Sequence, residues 1–539
     1  MARASSFELL LPRGAWVEVT VVDYAKTGQY LEHLIRFDGE REWTLSAEGT
    51  LLLLARDGGP PKVAGVTLPD NSPEKFLAAL DPARCEAEIS LDMSSGDDLK
   101  LPELAKFKIA ALKVGVALKA EYLAPAAALQ PKAMRVHLTE ETAGKLDAFT
   151  TLEAMLLRRD RLCPASALGA LPPARDVSVN GFAFSPALEQ SLAANTRLRM
   201  LCFLGEDTRG AGVLQWKGLA KITSLEALHV LRGVELDAAE VAALPALRSF
   251  NFNMNAFPKG SANLPDLARL SGLLELNLSL TFPQEVFAAW SKRGGLSGLV
   301  KLNSSSYHDV ERLTKLRVLE MTLPQEERRQ FVTSLAGLPD LRSLRLSGVG
   351  KSDIPALTNA KIKNTLENLD LVLRSLSVYG KMEIGSDYAD SKDLGQLAGC
   401  TALRRLRVSG GNISQFDLKH FPDLATLRLR DMDDLEQVIA LAAGARLEIL
   451  EIEGCKKLRS LGVKAPNAKL RSLELANCEM LADISALHQT SGLQFIQINR
   501  CALIPEPLTL DKINPIYTLS VRSCALLQDR YVQLKARVP

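Results

Sequence analysis

The chain of 539 residues is predicted to fold as an α/β solenoid of parallel strands. Three observations carry that prediction: a recurring apolar hexad, a near-constant step between its copies, and helical or irregular segments that return the chain from one copy to the next. The hexad reads apolar-x-x-apolar-x-apolar. Its clearest copies are Leu447-Glu-Ile-Leu450-Glu-Ile452, Leu470-Arg-Ser-Leu473-Glu-Leu475, Leu493-Gln-Phe-Ile496-Gln-Ile498 and Ile516-Tyr-Thr-Leu519-Ser-Val521, each starting 23 residues after the last. Repeats of this length are one supersecondary unit each, stacked on their neighbours.

Further copies start at Leu424, Leu403, Leu366, Leu341, Leu316, Leu273, Leu247, Leu225 and Leu198. Weaker ones start at Ala174, Leu152, Ala133, Ile109, Glu86 and Val63. The copy at Leu299 carries Ser304 where its last apolar residue belongs and stands only 17 residues before Leu316, so an irregularity is expected there. Each hexad reads as a short strand whose fourth and sixth side chains turn inward and whose fifth turns outward, because side chains alternate along a strand. Between hexads, Ser185-Pro-Ala-Leu-Glu-Gln-Ser-Leu192, 324–332 and Leu435-Glu-Gln-Val-Ile-Ala-Leu441 have helical spacing, with Ser185 and Asp237 placed as N-caps.

Residues 1–62 fall outside the repeat. Trp16–Tyr24 alternates like a half-buried strand, and Leu34–Phe37, Asp38-Gly39 and Glu40–Leu45 read as a hairpin with a two-residue turn. An array needs a covered end, so this segment is expected to be a small antiparallel β cap, with a separate recognition module as the alternative. Residues 63–539 are then the solenoid, about 20 irregular repeats long. The step from Leu366 to Leu403 is 37, and the excess falls near 379–392, where Tyr379, Met382 and Tyr388 form a candidate binding loop.

In these motifs the chain resembles the leucine-rich-repeat superfamily over roughly 63–539. That resemblance implies a right-handed, horseshoe-curved solenoid with strands on the concave face and helical or irregular segments on the convex side. The last repeats are similar to the cysteine-containing subclass, with Cys455, Cys478, Cys501 and Cys524 three residues after successive hexads. Earlier repeats place Phe182, Asn255, Val349 or Met432 there. The resemblance implies that this ninth residue turns inward, where a small apolar thiol packs well. No CxxC occurs, so no metal is expected. Bacterial leucine-rich-repeat ubiquitin ligases carry a catalytic domain after their repeats, and none is expected after Val521.

Composition narrows the function. A net charge of +2 gives no general nucleic-acid affinity, and 5% aromatics gives little base-stacking surface. The sequence holds no HExxH, GxSxG or GxGxxG motif, and Gly350-Lys351-Ser352 lacks the first glycine of a phosphate loop. Ser304–Asp309 sets serine, histidine and aspartate side by side, whereas catalytic triads converge in space. No enzyme and no cofactor are expected. The first dozen residues lack a secretory pattern and no 18-residue apolar run exists, so a cytoplasmic protein, or one exported without a classical signal peptide, is expected, and the Ala/Leu/Arg-rich composition points to a bacterial source.

The outward fifth positions run His229, Asn251, Asn277, Asn303, Glu320, Arg345, Asp370, Arg407, Arg428, Glu451, Glu474, Gln497 and Ser520, with His137 assigned to the same column. With Arg317, Arg342, Arg404, Arg405 and Arg430 nearby, Arg345, Arg407 and Arg428 form a candidate basic patch for a protein partner with an acidic surface. Three alternatives remain: nucleic acid or anionic lipid on the same arginines, cross-rung ion pairs that only solvate the sheet, and an enzyme with an unrecognised site in the N-terminal cap.

Overall fold

The computed structural model describes residues 2–3, 16–23, 29–36, 43–48, 50–56, 59–205, 215–232, 234–252, 269–278, 284–304, 309–322, 331, 334–358, 362–373, 388–439, 446–461, 469–484, 493, 495–501 and 518–522. They fall into two compact units, Met1–Ser279 and Leu280–Pro539.

The first unit opens with an antiparallel meander in which Trp43–Glu48 pairs with Leu51–Arg56, and that strand with Lys62–Thr67. From Lys62–Thr67 onward the pairing turns parallel, through Cys85–Met93, Ile109–Leu118, Ala133–Leu138, Ala154–Arg159, Asp176–Asn180, Met200–Leu204, Ala227–Arg232, Ser249–Phe252 and Glu275–Leu278. Parallel neighbours need a crossover, which short helices and turns supply here. Helices Pro186–Ala194 and Ala238–Ala242 begin where the sequence places their caps. Ser185 Oγ accepts from Leu188 N at 3.2 Å, and Asp237 Oδ1 accepts from Ala239 N at 2.7 Å.

The second unit repeats the parallel plan through Lys301–Ser304, Val318–Thr322, Ser343–Val349, Asn368–Leu373, Arg405–Ser409, Thr426–Arg430, Ile449–Glu453, Ser472–Ala476, Phe495–Asn499 and Thr518–Arg522. The copy at Leu299 is regular after all. Leu302 stands opposite Leu319 and Ser304 opposite Met321, and Ser304 is buried in the inward slot.

Inward positions form one apolar column after another, such as Leu427, Leu429, Leu450, Ile452, Leu473 and Leu475, all buried. After the strand, the eighth residue of many rungs adopts positive φ: Gly181, Gly348, Gly410, Asp431, Gly454, Asn477 and Arg500. Glycine, aspartate and asparagine tolerate that region best, so Arg500 is the strained member. This left-handed step redirects the chain, and Phe182, Val349, Met432, Cys455, Cys478 and Cys501 at the ninth position are all buried.

Two sequence expectations are corrected. The copies at Glu86 and Ala133 are out of register by two. Leu91 stands opposite Leu112, and Leu112 opposite Met134, so those rungs start at Glu88 and Pro131. His137 therefore takes the seventh position and Arg135 the fifth. Strand Gln29–Arg36 pairs with Trp16–Asp23, and Trp43–Glu48 with Leu51–Arg56, while the turn expected at Asp38-Gly39 lies outside the described residues. Residues 435–439, the described part of the segment expected to be helical, are not helix: Gln437–Ile439 runs extended beside Gln415–Asp417, since the 21- and 23-residue repeats here are short enough for their return segments to pair.

Candidate protein-binding face

The outward face of the first rungs is occupied by the chain's own N-terminal strand, Gln29–Arg36. The buried His33 imidazole places Nδ1 3.2 Å from Ser90 Oγ and Nε2 3.2 Å from Thr67 Oγ1, and both hydroxyls belong to outward positions. Its ring lies over Gly65, where an added Cβ would come within 2.7 Å of Cγ. Leu34 is buried in one cluster with Ala110 and three outward alanines, Ala111, Ala133 and Ala154, flanked by Leu156. Arg36 reaches Glu153 at 3.7 Å. Burial, and then the Lys113 cation, hold His33 neutral with its pKa down at about 3. Lys113 itself pairs with Asp92 at 3.0 Å.

Further along the first unit the fifth column continues with Ser178, Cys202, His229, Asn251 and Asn277 in register. The Ser249 hydroxyl lies 3.2 Å from His229 Nε2 and donates to Glu275 Oε2 at 3.2 Å. Burial raises the Cys202 thiol pKa, against a hydrogen bond from Ser178.

In the second unit the fifth column is an unbroken ladder from Asn303 to Ser520. The predicted arginines lie on or beside it, and carboxylates on neighbouring rungs meet most of them. Arg342 pairs with Glu367 at 3.4 Å, Arg428 with Glu451 at 2.8 Å and Arg430 with Glu453 at 3.1 Å. Arg345 at 3.5 Å and Arg407 at 3.7 Å share the single carboxylate of Asp370. Arg404 lies 3.9 Å from Asp423, which also takes Arg446 at 3.2 Å. Arg317 and Arg405 are exposed and have no ion pair among the described residues. The face is thus banded in sign rather than uniformly basic.

Burial raises the Asp370 pKa against the opposing pull of Arg407 and Arg345. Burial, followed by Glu451 and Glu453, raises that of Glu474. The sequence shows these charges, but their pairing emerges only once the rungs are in register.

Of the insertion residues, Tyr379 and Met382 lie outside the described residues. Tyr388 is half-buried and precedes Ala389, whose carbonyl accepts from Asn412 N at 3.3 Å. Cys524 also lies outside them. Cys478 Sγ lies 3.4 Å from the Ala476 carbonyl, and Cys501 Sγ 3.4 Å from that of Asn499. Burial pushes the Cys455 thiol pKa up to about 12. The hydrogen bond to Cys478, then burial, raises that of Cys501. Protonated thiols of this kind are poor nucleophiles and poor metal ligands. Among the described residues no three His, Cys, Asp or Glu side chains are placed to hold a metal, and no helix is long and apolar enough to cross a membrane.

No family model and no curated protein match the sequence. Among solved structures, the chain is similar to a leucine-rich-repeat protein of Leptospira interrogans, with 16% identity over 78% of this chain and 90% of that one and a TM-score of 0.35. It is also similar to an internalin of Listeria monocytogenes, with 16% identity over 63% and 84% and a TM-score of 0.27. The chain's own ladder of in-register parallel strands, with the apolar-x-x-apolar-x-apolar pattern on the rungs from Leu403 to Leu470, is what gives it the leucine-rich-repeat fold.

Proposed function

We propose that this protein is a non-catalytic scaffold that holds a protein partner on the strand face of its second unit. The observation that carries this reading is the contrast between two strand faces. On the first rungs of the first unit the face is filled by residues 29–36, which bury Leu34 and His33. On the second unit Arg345 and Arg405 stand exposed on strands locked in register, with exposed Arg317 and Arg342 immediately before theirs. Parallel rungs about 4.8 Å apart make such a face an extended, rigid surface suited to macromolecules.

The partner matched by this face carries acidic groups interspersed with basic ones. The cross-rung pairs are each worth only about 0–1 kcal/mol to stability, because they are partly exposed. They hold long side chains in place and so lower the ordering cost of an interface. We further propose that residues 1–62 close the array's first end, and that the cysteines at the ninth position are packing residues.

The reading is tested by capture from lysate of the source cell. Wild type is compared with Arg345→Glu/Arg407→Glu/Arg428→Glu, and retained proteins are read by mass spectrometry. A protein held by wild type and lost by the variant is expected. Equal retention would move the binding surface elsewhere, and retention of nucleic acid or lipid alone would reject a protein partner.

A further inference from the structure

Arg405 differs from the other arginines of the central rungs in its neighbours. Its register partners on the two adjacent strands are Asn368 and Thr426, and neither can neutralise a guanidinium. Arg405 is exposed and has no side-chain hydrogen bond or ion pair among the described residues. Arg407 follows two residues later on the same strand and face, about 6.6 Å along at ~3.3 Å per residue. It divides the Asp370 carboxylate with Arg345, so that trio of side chains carries one cation more than it has anions. Glu320 is Arg345's other register partner, so the charge left without a carboxylate on this strand is that of Arg405, beside an Arg407 that shares its one anion.

We propose that Arg405 and Arg407 form a carboxylate seat, the point at which an Asp or Glu side chain of a protein partner anchors. The proposal rests on the strand-face reading above and deepens it. A planar guanidinium matches a carboxylate through two parallel hydrogen bonds, and Arg405 has its donors available for that geometry. Phosphate would suit the same donors, but the surroundings select against a polyphosphate chain. Glu367 and Asp370 stand on the strand before, and Glu451 and Glu453 two strands after, about 10 Å away at ~4.8 Å per rung. A backbone charged at every step would meet those carboxylates within a Debye length of roughly 8–10 Å. A protein surface can set one acid over the seat and basic residues over the flanking carboxylates.

The test uses the full chain and random peptides displayed on phage. Selected peptides are made with a fluorescent label and their binding is read by anisotropy. The seat requires that they share an Asp or Glu. Replacing that residue with Asn or Gln, or making Arg405→Gln, should each weaken binding about tenfold or more. Combining the two should cost little beyond either alone, the signature of a direct pair.

Selected peptides indifferent to Arg405→Gln, or a selection without any shared acid, overturn the seat. If those peptides are nonetheless lost on the Arg345→Glu/Arg407→Glu/Arg428→Glu variant, the face stands and only the seat fails. If they survive both variants, the face reading fails as well. An oligothymidylate and phosphatidylglycerol vesicles are run beside them, and Arg405-dependent binding of either would overturn a protein carboxylate as the ligand. Arg405 is exposed, so Arg405→Gln should melt with wild type. A lowered Tm would itself overturn the view that Arg405 lacks a structural partner.

Discussion

Acidification should lift the N-terminal strand off the first rungs, and His33 is the group that would do it. Folded, its imidazole is fully buried between Ser90 and Thr67 and titrates at about 3. In an open chain it titrates near ~6.5. Between those values only the open state takes up the proton, so the stability of the folded arrangement falls as pH drops through that window and is fully present above ~6.5. At pH 4 the open imidazole lies about 2.5 units below its pKa, worth about 3 kcal/mol at ~1.36 kcal/mol per unit. In a repeat array such a cost is met locally rather than by global unfolding.

The assay is hydrogen exchange of the amides of 29–36, corrected for intrinsic rates, at pH 7 and pH 4 in wild type and His33→Gln. Wild type should lose roughly 300-fold of protection, and the variant far less. Equal losses in the two proteins would refute the assignment to His33. An unchanged wild type would refute the burial that underlies it.

Two further outcomes test the rung geometry. Cys501→Asp places a carboxylate in a fully buried slot and should destabilise the last repeats by several kcal/mol, about the cost of an unpaired buried charge, read as a lower-temperature melting phase. An unchanged melt would mean the ninth position does not face the core. Arg500→Gly relieves the left-handed backbone at φ 52° and should raise the stability of the same repeats by up to about 1 kcal/mol in urea unfolding. A loss would show that the arginine side chain holds that turn.

The rungs from Leu198 onward are legible in sequence because each has apolar residues on one face and polar residues on the other. Leu427 and Leu429 alternate with Arg428, and Leu473 and Leu475 with Glu474. The two misread rungs fail for a physical reason. Each carries three buried inward residues in a row, Ile89, Leu91 and Met93 or Met134, Val136 and Leu138, so the hexad fits equally well at two starting points. A shift of two residues keeps the parity of the pattern, which leaves it invisible to a single hexad.

The covering strand itself was hidden because a hairpin signal at Asp38-Gly39 is local, whereas the pairing of 29–36 with 16–23 is set by the surface on which it lies. In the candidate face, the arginines are visible as residues but not as a circuit. That Asp370 serves both Arg345 and Arg407 while Arg405 lies between Asn368 and Thr426 follows only from register across a 37-residue step.

The most direct test of the central claim is to block one face at a time and measure capture of the partner. Ser409→Trp puts a bulky ring beside Arg407 on the strand face, and Lys457→Trp puts one on the return side, where Lys457 pairs with Asp434 at 2.7 Å. Loss of the partner with Ser409→Trp and full retention with Lys457→Trp is the predicted result. Retention with Ser409→Trp and loss with Lys457→Trp would contradict it, and would place the binding surface on the returning segments.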